Sequence, residues 1–249
     1  MISQPKECQN PPHFKLITED SALAEVCAFA RQQSAVALDT EFVRTRTLYP
    51  QLGLVQLYAG DEVALIDPTT IQDFSPFIAL LADDRVTKVL HACGEDLEVF
   101  HHTFQQLPQP MCDTQVMANF LGFANSPGFA TLVQQYFQIE IDKGASRTDW
   151  LARPLSEIQL RYAAADVWYL LPLYQQMQAQ LAQTEWQSAV KNECEFLLHK
   201  RAHAVKNPDT AYFAIPNAWK LNSLELMRLK LLAKWRMEEA MKRDLALNF

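Results

Sequence analysis

No stretch of this sequence reaches the roughly 18 uninterrupted apolar residues that a membrane-spanning helix needs, and the opening segment MISQPKECQNPPHF has no apolar core of the secretory type. The expectation is a cytoplasmic protein with no membrane partner. Cysteine is sparse and unorganised: Cys8, Cys27, Cys93, Cys112 and Cys194 are odd in number and show no C-x-x-C spacing, so neither a disulfide framework nor a zinc site is indicated. They read as reduced thiols. Internal repeats and low-complexity tracts are missing too. So is the basic signature expected of a phosphate-binding protein, because the formal net charge is -7. That deficit is local. Residues 1–185 hold 11 Lys+Arg against 22 Asp+Glu, whereas residues 186–249 hold 11 against 7. A basic accessory segment beside an acidic catalytic part fits this split, and so does a solvated helical surface.

What is present is a chain of 249 residues with 49% apolar and 20% charged residues, the balance of a well-packed globular core. Apolar positions Leu23, Val26, Cys27 and Ala30 predict a helix over 21–32, followed by a strand at Val36-Ala37-Leu38 that runs into Asp39. LGLVQLYAG and VALIDP predict a hairpin around Gly60-Asp61-Glu62, and RVTKVLHAC predicts another short strand. Helices are expected over 71–82, 95–104, 114–122 and 130–137, with a brief extended piece at 111–114. Alternating strands and helices favour an α/β fold with a mixed β-sheet flanked by helices. Ser156-Glu157-Ile158-Gln159 has the form of a capping box and should start a helix that Pro172 interrupts. Beyond about residue 183 the chain reads as helical and increasingly basic. A second capping box at Asn222-Ser223-Leu224-Glu225 opens a helix whose Leu224, Met227, Leu231 and Trp235 form one apolar stripe. Prolines and turn formers in KNPDTAYFAIPN predict a domain boundary near 206–216.

Acidic residues set inside apolar runs carry the chemistry. An unpartnered carboxylate is costly to bury, so Asp39 and Glu41 in AVALDTEF, Asp96 in KVLHACGEDLEVF and Asp166 in LRYAAADVWYLL call for a cation. Asp39 and Glu41 leave the same face of a strand end, with Thr40 pointing away; a divalent cation relieves their repulsion, and a solvated strand end is the alternative. Tyr162 and Asp166 are four apart on one helical face. Around Asp96, spacing does not choose among Glu95, Asp96 and Glu98. Three carboxylate sites without a His or Cys cluster favour hard cations, Mg²⁺ or Mn²⁺.

DTEF, HACGEDLEVF and YAAAD resemble, in order and type, the three exonuclease motifs of the DEDD superfamily, with Tyr-x-x-x-Asp marking its tyrosine subclass. LDTEFVRTRTLYPQLGLVQL and KGASRTDWLARPLSEIQLRYAAADVWYLLPLY resemble the bacterial ribonuclease D family more specifically, over about residues 14–205. The resemblance implies an RNase H-like fold and metal-dependent 3′-to-5′ hydrolysis of RNA to nucleoside 5′-monophosphates, with two divalent cations as cofactors. It implies that Asp39, Glu41 and Asp166 hold one metal, that Asp39 and Asp96 hold the other, and that Tyr162 orients the attacking water or accepts its proton, the ordinary phenol value of ~10 favouring orientation. It also implies substrate contacts by Phe42 and Lys143, against a packing role for Phe42 and a solvated lysine at 143; His91, Arg147 and Trp150 are further candidates for substrate contact, with packing as the alternative for Trp150. The segment NAWKLNSLELMRLKLLAKWRMEEAMKRDLALNF resembles the start of an HRDC domain, giving an exonuclease domain over 1–205 and a linker with a truncated HRDC-like segment over 206–249. The implied partners are tRNA precursors and other small structured RNAs, engaged at their 3′ ends, with no obligate protein partner evident. A DNA exonuclease and a catalytically silent RNA-binding scaffold are the rival readings.

Overall fold

A computed structural model describes residues 11–123, 126–141, 144–145 and 147–248. The chain divides into two compact units, Met1–Val43 with Leu52–Ala202, and Arg44–Gln51 with His203–Phe249.

The larger unit is built on a mixed six-stranded sheet of order β1-β4-β3-β2-β5-β6. Its strands are β1 (Phe14–Ile17), β2 (Ala35–Val43), β3 (Gln51–Tyr58), β4 (Val63–Ile66), β5 (Thr87–Leu90) and β6 (Met111–Asp113). β3 and β4 form the expected antiparallel hairpin, with Val55 opposite Ile66 and Tyr58 opposite Val63. β2, β5 and β6 run parallel to one another, Val36 pairing with Lys88 and Val89 with Cys112. The edge strand β1 has no sequence expectation behind it. Only Ile17 of its four residues is buried, too few for a period-two pattern, and its place comes from parallel pairing with β4.

Around the sheet lie α1 (Asp20–Ala30), α2 (Ser75–Ala82), α3 (Gly94–Phe104), α4 (Thr114–Phe120), α5 (Phe129–Phe137), α6 (Glu157–Trp168), α7 (Leu170–Leu181) and α8 (Gln187–Ala202). This is the mixed sheet flanked by helices that the element order implies, and the RNase H-like arrangement that the resemblance implies. The Ser156 capping box forms, the Ser156 hydroxyl accepting from Gln159 N and the Gln159 side chain accepting from Ser156 N. The helix it opens ends at Tyr169, ahead of Pro172, which sits in the first turn of α7 where its missing N–H costs no intrahelical bond.

β2 is the strand at which the topology changes direction. The chain leaves it toward β3 and β4 on one side and returns to build β5 and β6 on the other. In open α/β sheets such a switch point leaves a crevice at the carboxyl ends of the strands, and Asp39 and Glu41 lie in the carboxyl half of β2.

The smaller unit is all helical apart from its loop 44–51: two short 3₁₀ turns (Pro208–Ala214 and Ala218–Lys220) and the long α9 (Ser223–Arg243), opened by the Asn222–Glu225 capping box. The loop joins it through Asp244, whose carboxylate accepts the N–H groups of Leu48 (3.0 Å) and Tyr49 (3.1 Å). Along α9 the apolar stripe is exposed rather than packed, from 52% at Leu224 and Met227 to 64% at Leu231. No helix among the described residues is long and apolar enough to cross a membrane.

Candidate metal centre and active site

Three elements deliver the acids. β2 carries Asp39 and Glu41 on one pleat face. α3 follows the neighbouring parallel strand β5, so its first turn, with Asp96, starts beside the carboxyl end of β2. α6 packs against β2 and β4 and brings Tyr162 and Asp166 one turn apart. Ligand oxygens of Asp39, Glu41 and Asp166 lie within 4.8 Å of one another. Asp96 falls outside that tight trio but interacts electrostatically with Asp39, Glu41 and Asp166. The ambiguity around Asp96 is resolved by burial: Asp96 is 8% exposed, Glu95 is exposed, and Glu98 pairs with Arg201 at 3.7 Å.

Among the described residues none of the four acids forms an ion pair, and each carboxyl is held above its ordinary range. Burial, then the charges of Asp96, Asp166 and Glu41, holds Asp39 well above the usual carboxylate range. Burial and the charges of Asp166 and Asp96 push Glu41 up to about 9. Asp96 and Asp166 are pushed up to about 7, again chiefly by burial, although hydrogen bonds from Thr40 and Tyr162 respectively oppose the shift. The Tyr162 phenol, which donates to Asp166, is raised far above its ordinary value by burial and by the charges of Asp166, Glu41 and Asp39. A proton stays on it at neutral pH. Hard oxygen donors gathered without a cation of their own fit a divalent metal better than any other occupant.

Much of the site's support lies in residues that sequence reasoning passed over. Thr40, expected to point away, does leave the opposite face of β2, but its hydroxyl donates to Asp96. Gln56 is fully buried on β3 and its amide lies 3.5 Å from Asp39 Oδ2; a lone polar residue in the apolar run LGLVQLY was the available signal. Asp113 ties three segments together by accepting the N–H groups of Ala92 (3.1 Å) and Cys93 (2.9 Å) ahead of α3 and that of Gln115 (2.7 Å) at the start of α4.

The segment before α6 is a strut. Arg153 donates to both oxygens of Asp67 (2.6 and 2.7 Å), to Gly53 O (2.7 Å) and to Trp150 O (2.9 Å), binding the loop to β3 and β4. A Cβ on Gly53 would sit 2.6 Å from Trp150 O, so only glycine permits this approach. Gln159 completes the strut by donating to Thr148 Oγ1 (3.1 Å) and Asp149 O (3.2 Å).

Of the two readings of Trp150, stacking on a base and packing, its burial favours packing. At 1% exposure it has no free face, and its ring packs 6.1 Å from that of Tyr162. His91 is likewise committed to packing: its Nδ1 lies 2.9 Å from Thr114 Oγ1, its ring 5.6 Å from that of Phe129, and burial lowers its pKa, so it brings no positive charge to a phosphate. Phe42 is half-buried next to Glu41, and Arg147 is exposed. Lys143 lies outside the described residues.

A profile described as 3′-5′ exonuclease matches residues 14–182. The chain belongs to the 3′-5′ exonuclease family. It is 59% identical over 250 residues to the ribonuclease D of Haemophilus influenzae, covering 100% of this chain and 62% of that protein. The crystal structure of Escherichia coli RNase D, an exoribonuclease involved in structured RNA processing, superposes with a TM-score of 0.89 at 51% identity over 95% of this chain and 63% of that one. The Brucella melitensis nuclease NrnC with bound Mg²⁺ is 27% identical, with a TM-score of 0.62 over 69% of this chain and 85% of that one. The chain thus spans less than two thirds of the ribonuclease D proteins that it matches.

Proposed function

We propose that this chain is a metal-dependent 3′-to-5′ exoribonuclease that releases nucleoside 5′-monophosphates, acting on the 3′ ends of tRNA precursors and other small structured RNAs. The observation that carries this reading is the trio of ligand oxygens within 4.8 Å, joined by the buried Asp96 and lacking any compensating cation among the described residues. Asp39, Glu41, Asp96 and Asp166 would hold two divalent cations, Mg²⁺ or Mn²⁺, and the Mg²⁺ bound by NrnC supports that choice. When bound, the cations supply Lewis acidity toward the scissile phosphate and a source of hydroxide at neutral pH.

The chain's own groups do the rest. Tyr162 keeps its proton, so it serves as an orienting hydroxyl rather than a base; donating to Asp166 leaves its oxygen free to accept from the attacking water. Phe42, beside Glu41, is proposed to pack against the terminal nucleotide. Lys143 and the exposed Arg147, in the segment leading to α6, are proposed to meet phosphate oxygens. The exonuclease domain is proposed to cover residues 1–205, with the HRDC-like segment over 206–249 adding nucleic-acid contacts through its basic surface.

The test compares release of 5′-monophosphates from 3′-labelled RNA and from matched DNA, with Mg²⁺, with Mn²⁺ and with EDTA. Metal-dependent release from RNA is expected. Preference for DNA would make the chain a deoxyribonuclease, and tight RNA binding without cleavage would make it a scaffold.

A further inference from the structure

Thr40 sits between two of the acids in sequence and across the strand from them in space. It is 6% exposed, and its hydroxyl donates to Asp96 Oδ1, on a residue 56 positions away. Backbone pairing does not set that spacing. The register of β2 with β5 runs from Ala35 opposite Thr87 to Ala37 opposite Val89, and then the chain turns through Ala92, a non-glycine residue at φ 54°, before α3 begins. Asp96 therefore reaches the site from a helix whose start is held by Asp113 on one side and by Thr40 on the other.

We propose that Thr40 is a positioning residue for the metal centre: its hydroxyl fixes the Asp96 carboxylate against β2, so that Asp96 is held in register with Asp39. The inference rests on the two-metal reading above. It follows from what a metal centre requires of its ligands, since a carboxylate with one oxygen bound to a fixed donor keeps its other oxygen aimed, whereas an untethered one must lose rotamer freedom on binding. Backbone N–H of Thr40 also faces both Asp39 and Asp96, so losing the hydroxyl loosens the ligand without releasing it.

Mn²⁺ binding to the RNA-free chain, measured by calorimetry, tests this with Thr40→Val, which keeps shape and branching but has no hydroxyl, and Thr40→Ser, which keeps the hydroxyl. Thr40→Val is expected to weaken Mn²⁺ binding about tenfold, at the lower end of what an outer-shell partner contributes. Thr40→Ser is expected to retain wild-type affinity, and urea stability in EDTA should not rank the variants in that order. In an Asp96→Asn background Thr40→Val should cost nothing further, and a loss of affinity in Thr40→Ser, which keeps the hydroxyl, would refute the proposal even if Thr40→Val folds poorly. Wild-type affinity in Thr40→Val, or equal losses in both Thr40 variants, would reduce Thr40 to a packing residue. A wild-type chain that binds no Mn²⁺ would instead overturn the metal-centre reading on which the proposal stands.

Discussion

Asp67 and Asp83 lie in the same domain as the four acids of the site and are themselves little exposed, at 3% and 8%, yet they shift the opposite way. Burial alone would raise Asp67, but hydrogen bonds from Arg153 and Thr69 outweigh it and hold the carboxyl below the usual range. Arg85 and Arg31 lower Asp83 in the same manner, through contacts of 2.7 and 2.8 Å. In the site, burial and mutual repulsion meet no guanidinium among the described residues, and every carboxyl goes up. Carboxylates that serve the fold bring their cations with them, whereas those that serve chemistry leave the charge open for a ligand to balance.

The sharpest way to break that contrast is to neutralise a site acid. Asp39→Asn should cut RNA cleavage by ~10²–10³-fold, the order lost when one group aimed at developing charge is removed. In EDTA the same variant should melt no lower than wild type, because it relieves repulsion that the metal-free fold otherwise bears. Single-turnover cleavage and thermal melts measure the two; a variant that is both active and less stable would mean that Asp39 is one more structural acid.

The converse change is Arg153→Leu, which strands Asp67 in the core and frees the strut beneath α6. Losing one partner of a buried pair typically costs ~3–5 kcal/mol, and since the Arg153 side chain is 25% exposed the lower end is expected in urea denaturation. Asp67→Leu in the same chain should return part of it. Activity should fall too, through misplacement of Tyr162 and Asp166.

Titration separates the two groups without mutation. A carboxyl raised in the fold holds its proton more tightly there than in the unfolded chain, so stability grows as pH falls from about 9, the value for Glu41, through about 7, the value for Asp96 and Asp166. A lowered carboxyl such as Asp67 contributes stability above the ordinary value near ~4, and that contribution is lost below it. In EDTA the melting temperature should therefore peak in mildly acidic solution and drop by several degrees toward pH 9. Added Mn²⁺ should flatten the alkaline side, because the cation replaces the proton. A flat EDTA profile would show that the site acids do not repel.

How much of this is legible in sequence follows from the same distinction. Asp39, Glu41, Tyr162 and Asp166 announce themselves because two- and four-residue spacings fix their faces before any tertiary contact forms. Asp96 does not, because Glu95 and Glu98 are its equals in composition and only the packing of α3 decides which is buried. In sequence Trp150 fits a stacking ring and a packing one equally, and Gly53, about a hundred residues upstream, favours packing through a contact that no local pattern encodes. Thr40 gives no sign of its partner, because a hydroxyl in a strand looks the same whether it faces water or a carboxylate, whereas Gln56 shows itself only as a lone polar residue in the apolar run LGLVQLY. β1 is too short to show a period. The hairpin, the capping boxes and the break at Pro172 were legible because turn and cap chemistry is local.

A third kind of acid tests whether distance or burial governs the comparison. Glu157 meets Arg161 at 2.9 Å, nearly as close as Asp67 meets Arg153, but the side chains are 62% and 74% exposed. Water screens such a pair, and fixing two long side chains offsets most of what the contact gains, so Glu157→Gln should change stability by less than ~0.5 kcal/mol. Arg161 also lines a cavity of about 290 Å³ that Tyr162 and Tyr169 share, which makes the variant informative for substrate as well as for stability. With Glu157 neutralised, Arg161 keeps its charge and loses only a tether, so RNA affinity should hold or rise slightly while the maximal cleavage rate stays put. A loss approaching that of Arg153→Leu would make contact distance the governing quantity, and the division between acids that carry their own cation and acids that await one would have to be redrawn around it.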